Sequence, residues 1–150
     1  MAKTCTALEM VQAAQGWAQY SPNRSRKTGA AIFWPDGSSM GDCNNFPSGK
    51  GGRIRDLDER HEGEARYLWI EHAERNVLMT AARYGSTTDG ATMATPWFPC
   101  VECARCIVGA GIAKLVCTEP DWSEARYNFR IAETILREGG VEIEFVTLQA

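Results

Sequence analysis

Phe98-Pro99-Cys100-Val101-Glu102-Cys103-Ala104-Arg105-Cys106-Ile107-Val108 leads into Gly109-Ala110-Gly111 and then Ala113-Lys114-Leu115-Val116-Cys117. Pro99 suits the start of a helix. The run from Cys100 to Val108 continues that helix, and the glycines at 109 and 111 stop it. Ala113 to Cys117 reads as a short strand. Upstream, Ala91-Thr92-Met93-Ala94-Thr95 reads as another strand, which delivers Cys100. A helix between two strands of one sheet is a crossover, and a helical crossover joins parallel strands.

The pattern extends in both directions. Residues 123 to 138 carry Phe129, Ala132, Ile135 and Leu136 on one helical stripe and end at Gly139-Gly140. Val141, Ile143 and Phe145 then alternate with Glu142 and Glu144, the signature of a half-buried strand. Toward the N-terminus, His72-Ala73-Glu74-Arg75-Asn76-Val77-Leu78-Met79 reads as a helix that Gly85 can cap. Residues 46 to 66 hold many glycines and charges without periodicity and are expected to form a long loop, a feature that is often functional in a compact domain. Gly29 to Trp34 reads as a strand, Pro35-Asp36-Gly37 as a turn, and Ser38 to Asn44 as the returning strand of a hairpin. Met10, Ala13, Ala14 and Trp17 recur at helical spacing, which predicts an amphipathic helix near residues 5 to 20, ended by Ser21-Pro22-Asn23. The expected fold is α/β: a mixed five-stranded sheet with helices on both faces, a three-layer α/β/α sandwich in a single domain over 1–150. Ligands of such sheets sit at the carboxyl ends of strands, and Cys100 directly follows one.

Composition narrows the function classes. The 150 residues are 44% hydrophobic and 23% charged, ordinary for a globular protein. The formal net charge of -3 argues against a polynucleotide partner. Two short basic runs, Arg24-Ser25-Arg26-Lys27 and Lys50-Gly51-Gly52-Arg53-Ile54-Arg55, read as solvated loops, each able to hold one phosphate. No long apolar run or signal-peptide pattern is present, so no membrane partner is expected. Six cysteines, two of them in a C-x-x-C motif, fit a reducing cytoplasmic setting better than a disulfide framework.

The chemistry concentrates in His72-Ala73-Glu74 and Pro99-Cys100-Val101-Glu102-Cys103. Cys100 and Cys103 are three apart and share one face of a helix. At a helix N-terminus the dipole favours the thiolates that a metal binds. With His72 they make three ligands and leave a fourth position open, the coordination of a catalytic zinc. Glu74 is placed to carry protons beside it, as the catalytic residue. A C-x-x-C pair also occurs in redox proteins and structural zinc sites. Cys106 as a fourth ligand would close the site. It lies a full turn deeper in the helix, so it is read as a buried apolar thiol. His61 is read as a solvated loop residue, with a second metal site shared with Cys43 as the alternative.

By these motifs the chain resembles the deoxycytidylate (dCMP) deaminase branch of the zinc-dependent cytidine deaminase superfamily, from about Trp17 to Val146. The H-x-E and P-C-x-x-C pair is the signature of zinc nucleobase deaminases. Gly41-Asp42-Cys43-Asn44-Asn45-Phe46-Pro47-Ser48-Gly49 is similar to the branch's G-Y-N-G-F-P-x-G segment, and Lys27-Thr28-Gly29-Ala30-Ala31-Ile32 to its K-V-G-A-V-I strand. The chain departs from it at Cys43-Asn44-Asn45, where the branch has Tyr-Asn-Gly, and at the bulky Trp97-Phe98 pair. The resemblance implies a Zn2+ cofactor, hydrolytic deamination of a cytosine nucleotide such as dCMP, and a homo-oligomer, a dimer or hexamer. It implies that Asn44 contacts the sugar or base. Trp97 and Trp122 are candidates for stacking on the base, and Arg24, Ser25 and Arg26 for holding a monophosphate. Other zinc deaminases act on guanine, free cytosine or other aminated heterocycles, which is the alternative substrate class. A zinc-stabilised module without catalysis would be expected to lack the Glu, and Glu74 is present.

Overall fold

The computed structural model describes residues 4–149. Helix α1 (Ala7–Gly16) begins at a capping box in which the Thr6 hydroxyl accepts from the Glu9 N–H while the Glu9 carboxylate accepts from the Thr6 N–H. A 3-10 turn, Trp17–Tyr20, continues it. Strands β1 (Gly29–Phe33) and β2 (Ser39–Cys43) form the expected hairpin, paired from Gly29 with Cys43 to Phe33 with Ser39. Helix α3 (Ala73–Arg83) follows the 46–72 region, and β5 (Thr92–Ala94), α4 (Val101–Gly109), β6 (Lys114–Thr118), α5 (Phe129–Glu138) and β7 (Glu142–Val146) complete the order. The main sheet runs β2-β1-β5-β6-β7. β1 is antiparallel to β2 and β5, whereas β5, β6 and β7 are parallel, as the two helical crossovers require.

Alternate strand residues divide between two cores. Ala30, Ile32, Met93, Leu115 and Cys117 pack with Ala73, Val77, Ala104, Ile107, Ala132 and Leu136, which puts α3, α4 and α5 on one face. Ala31, Ala94 and Val116 face Val11 and Ala14, which puts α1 on the other. The result is the three-layer α/β/α sandwich with five strands.

Two expectations are corrected. The buried face of the first helical segment is Val11, Ala14 and Ala18, while Ala13 and Trp17 are exposed. Trp17 lies instead against Gly41, where an added Cβ would meet its indole Nε1 at 1.9 Å. The 46–66 stretch is not a bare loop. It holds a two-strand ladder of β3 (Ser48–Gly49) and β4 (Gly52–Arg53), a 3-10 turn at Asp58–Arg60 and the start of a four-residue helix, α2 (Arg66–Trp69). Inside it His61 is buried, paired with Asp56 and edge-on to Phe46 at 5.5 Å.

Gly29 shows how closely α1 lies on the sheet. A Cβ there would sit 2.1 Å from the Ala14 carbonyl oxygen and 2.8 Å from Trp17 Cβ. Because backbone cannot yield as a side-chain tip can, Gly29→Ala should destabilise the fold by about 1–3 kcal/mol or more. Gly109→Ala, whose Cβ meets nothing within 4 Å, should have little effect by comparison. Urea unfolding of both variants checks this; equal midpoints would contradict the packing.

Candidate active site

The metal-binding motifs converge because two helices begin at one place. His72 is the N-cap of α3 and Cys100 the N-cap of α4, both in extended backbone. Glu74 and Cys103 lie within the first turns. His72 therefore stands outside the helical repeat, so a histidine and a glutamate two residues apart can face one centre. His72 Nδ1 is 3.6 Å from Cys100 Sγ and 3.3 Å from Cys103 Sγ, and the three ligand atoms lie within 4.8 Å of one another. Among the described residues this is the one cluster of three or more His, Cys, Asp or Glu that could hold a metal. Cys106 is outside it, and so are His61 and Cys43. The donor set, one imidazole and two thiols at the heads of two helices, fits zinc with a position left open.

The local sequence fixes each ligand. Asn45 and Glu71 exchange backbone hydrogen bonds of 3.1 and 2.9 Å, which ties the residue before His72 to the end of the β1–β2 hairpin. Asn76, 9% exposed, donates from Nδ2 to the carbonyls of Cys43 (3.0 Å) and Asn45 (3.3 Å). Sequence reasoning passed over Asn76 because a single Asn in a helix carries no spacing signal. Arg75 spans the two helix starts: Nη2 lies 2.6 Å from Glu71, Nη1 lies 3.2 Å from Glu102, and Nη1 also donates to Cys103 Sγ at 3.7 Å.

The electrostatics follow from these contacts. Hydrogen bonding from Cys103 holds the Cys100 thiol down at about 3, with His72 and the Cys103 N–H adding to it. The hydrogen bond to Cys100 and burial push the Cys103 thiol up. The hydrogen bond to Cys100 raises the His72 imidazole. Burial pushes the Glu74 carboxyl up.

The centre lies in the wall of a cavity of about 380 Å3, within the roughly 300–1,000 Å3 typical of small-molecule sites. His72, Glu74 and Cys100 line it together with four residues expected from the sequence, Asn44, Trp97, Ser25 and Arg26. Asn44 is buried, and its amide is engaged by backbone: Nδ2 donates to Arg26 O at 2.7 Å, and Oδ1 accepts from Thr28 N at 3.0 Å. Two candidates fall away. Trp122 does not line the cavity; it packs edge-on against Phe98 and Phe145 and donates to Glu119 at 3.0 Å. Arg24 pairs with Asp58 at 2.6 Å, outside the cavity. The sequence reading missed the wall formed by Arg66 and Tyr67 of α2 and, after β6, by Glu119, Asp121, Glu124, Arg126 and Tyr127. Position at the carboxyl end of β6 was the available signal for that second segment.

Comparison with known proteins agrees with this arrangement. The sequence pattern of the cytidine and deoxycytidylate deaminase zinc-binding region matches residues 2–119. The chain is 32% identical over 137 residues to the deoxycytidylate deaminase of enterobacteria phage T4, covering 87% of this chain and 61% of the relative. It is 31% identical to that of phage T2, again covering 87% of this chain and 63% of the relative. The chain thus spans a little over three fifths of the length of these phage enzymes. The dCMP deaminase of cyanophage S-TIM5, solved in complex with dCMP and dUMP, superposes with a TM-score of 0.70 at 25% identity, over 91% of this chain and 93% of that one. The chain belongs to the cytidine and deoxycytidylate deaminase family, and the matched zinc-binding region includes His72, Cys100 and Cys103, the cluster that could hold a metal ion.

Glu74 has a stability signature of its own. Its folded pKa lies above its ordinary value of 4.5, so the folded state binds this proton more tightly than the unfolded chain does. Stability of the metal-free protein should therefore fall as pH rises through 4.5 and then through the raised value. In the chelated protein, Glu74→Gln should be more stable than wild type near neutral pH, with the gap closing below about pH 4.5. Urea unfolding across pH tests this, and a pH-independent difference would contradict it.

Proposed function

We propose that the chain is a zinc-dependent hydrolytic deaminase of a cytosine nucleotide, converting dCMP to dUMP and ammonia. The observation that carries this reading is a buried carboxylate, Glu74, in the same cavity wall as the His72-Cys100-Cys103 cluster. Similarity to the phage deoxycytidylate deaminases and to the cyanophage enzyme with dCMP and dUMP supports the substrate.

When bound, zinc supplies a Lewis acid that lowers the pKa of water at the open position. The remaining work falls to the protein. Glu74, whose carboxyl burial has raised, accepts the proton of the attacking water and delivers it to the ring nitrogen. The hydroxyl oxygen bonds to the carbon bearing the amino group; Glu74 then takes the proton of that hydroxyl and passes it to the amino group, and the carbon–nitrogen bond breaks to release ammonia as the carbonyl forms. Arg75 holds the two ligand-bearing helices in register. Asn44, Trp97, Ser25 and Arg26 line the cavity, with Ser25 and Arg26 toward a phosphate.

The same reading includes a single deaminase-type domain over 1–150, a homo-oligomer and a cytoplasmic setting. Exposed Tyr67, Leu68 and Trp69 on α2 and Met79 and Tyr84 on and after α3 support association between copies. The six free cysteines support a reducing compartment. Among the described residues no helix is long and apolar enough to cross a membrane.

Ammonia release from zinc-loaded protein tests the reading with dCMP, CMP, deoxycytidine, cytosine, guanine and adenine. Turnover of dCMP well above deoxycytidine is expected; turnover of a free base alone would overturn the substrate. Glu74→Ala should retain zinc and lose on the order of 100- to 10,000-fold in kcat. Loss of zinc from that variant would contradict the role given to Glu74.

A further inference from the structure

Three arginines line the cavity, and they differ in what holds them. Arg66 commits Nη1 to the Gly63 carbonyl at 2.8 Å and Nη2 to the Tyr67 hydroxyl at 3.0 Å. Arg126 lies over Tyr127 in an exposed loop, its guanidinium 5.8 Å from the ring centroid. Arg26 is different because its backbone is fixed on both sides. Its N–H donates to Asn23 Oδ1 at 3.2 Å, and its carbonyl accepts from Asn44 Nδ2 at 2.7 Å. Asn23 Oδ1 also takes the Ser25 N–H at 2.8 Å, and Asn44 Oδ1 takes the Thr28 N–H at 3.0 Å. Two asparagines thus clamp the 25–28 segment.

The Arg26 guanidinium lies over the Trp97 ring, 4.4 Å from its centroid. Among the described residues, no acidic group lies within ion-pair distance of it and no acceptor takes its N–H donors. A guanidinium resting on an aromatic face keeps its in-plane N–H groups free, and those are the donors that meet a phosphate in bidentate fashion. The platform is fixed too. Trp97 O accepts from Thr95 Oγ1 at 2.6 Å, and Trp97 lies three residues before the metal ligand Cys100. One face of the indole is therefore occupied by the arginine and is not open to a base.

We propose that Trp97, Asn23 and Asn44 are positioning residues that present Arg26 as the receptor for the phosphate of a nucleoside monophosphate. Trp97 acts through Arg26 rather than by stacking on the base. This rests on the nucleotide reading above, and it changes the work assigned to Trp97 and Asn44 from direct substrate contact to preorganisation of a charge.

The test is calorimetric binding of dUMP and of deoxyuridine to the zinc-loaded protein, which needs no turnover. Wild type, Arg26→Gln, Trp97→Leu, Trp97→Phe and the double variant R26Q/W97L are compared by the ratio of the two dissociation constants. Arg26→Gln should cut the preference for dUMP on the order of tenfold. Trp97→Leu should cut it by about threefold to tenfold, and Trp97→Phe should restore most of it. The double variant should match Arg26→Gln alone, because the ring acts only through the arginine. A Trp97→Leu variant that weakens deoxyuridine as much as dUMP would overturn the proposal, as would losses that add fully in the double variant. A wild type that deaminates dCMP while Arg26→Gln leaves the ratio unchanged overturns the clamp and leaves the deaminase reading standing. A wild type that deaminates no dCMP yet binds dUMP through Arg26 and Trp97 overturns the deaminase reading and leaves the clamp standing.

Discussion

His72 and Cys100 each sit one residue ahead of a helix, in extended backbone, and that shared position is the constraint on which the site depends. Within a regular helix His72 and Glu74 would point apart; from an N-cap they serve one centre. The same geometry turns a free N–H of the first turn of α4 toward a sulfur, as the contact from Cys103 N to Cys100 Sγ at 3.5 Å shows. The sheet makes the coincidence possible. α4 leaves the carboxyl end of β5, and α3 is anchored at its start by Asn76 and by the Asn45–Glu71 bridge to the end of β2. A shift in either crossover would separate the ligands.

Stability and chemistry pull against each other here. Glu74 is buried in a place that raises its pKa, a costly position for a carboxylate and a useful one for a group that must both take and return a proton. Arg75 compensates on the other side of the cluster, where its guanidinium reaches Glu71, Glu102 and the Cys103 sulfur together. Farther out, the cavity wall shows the same economy. Asn44 spends its amide on backbone and thereby sets the place of a neighbouring cation.

Much of this was legible from residues because it rests on spacing. The alternation of Val141, Ile143 and Phe145 and the crossover from Thr95 to Ala113 gave the parallel half of the sheet. The H-x-E and C-x-x-C pair gave the three donors that the fold brings within 4.8 Å of one another. What was not legible rests on partners distant in sequence. The first helix is rich in alanine and weak in contrast, so nothing local distinguishes the buried Val11, Ala14 and Ala18 from the expected stripe of Met10, Ala13, Ala14 and Trp17, which share Ala14 alone. Gly41 decides it, by leaving room for the Trp17 indole. His61 looked solvated among glutamates, yet Phe46 and Asp56 enclose it. Trp122 followed a strand as a cavity residue would, but Phe98 and Phe145 hold it half-buried against the core. Arg24 and Arg26 were equivalent in sequence; Asp58 takes the first and Trp97 the second.

The central claim is a three-ligand zinc centre with an open position. X-ray absorption at the zinc edge of the loaded protein tests it most directly. The account predicts two sulfur ligands near about 2.3 Å and two light-atom ligands near about 2.0–2.1 Å, one of them lost in His72→Ala. A third sulfur in the shell, which would place Cys106 on the metal, would make the centre closed and contradict the account.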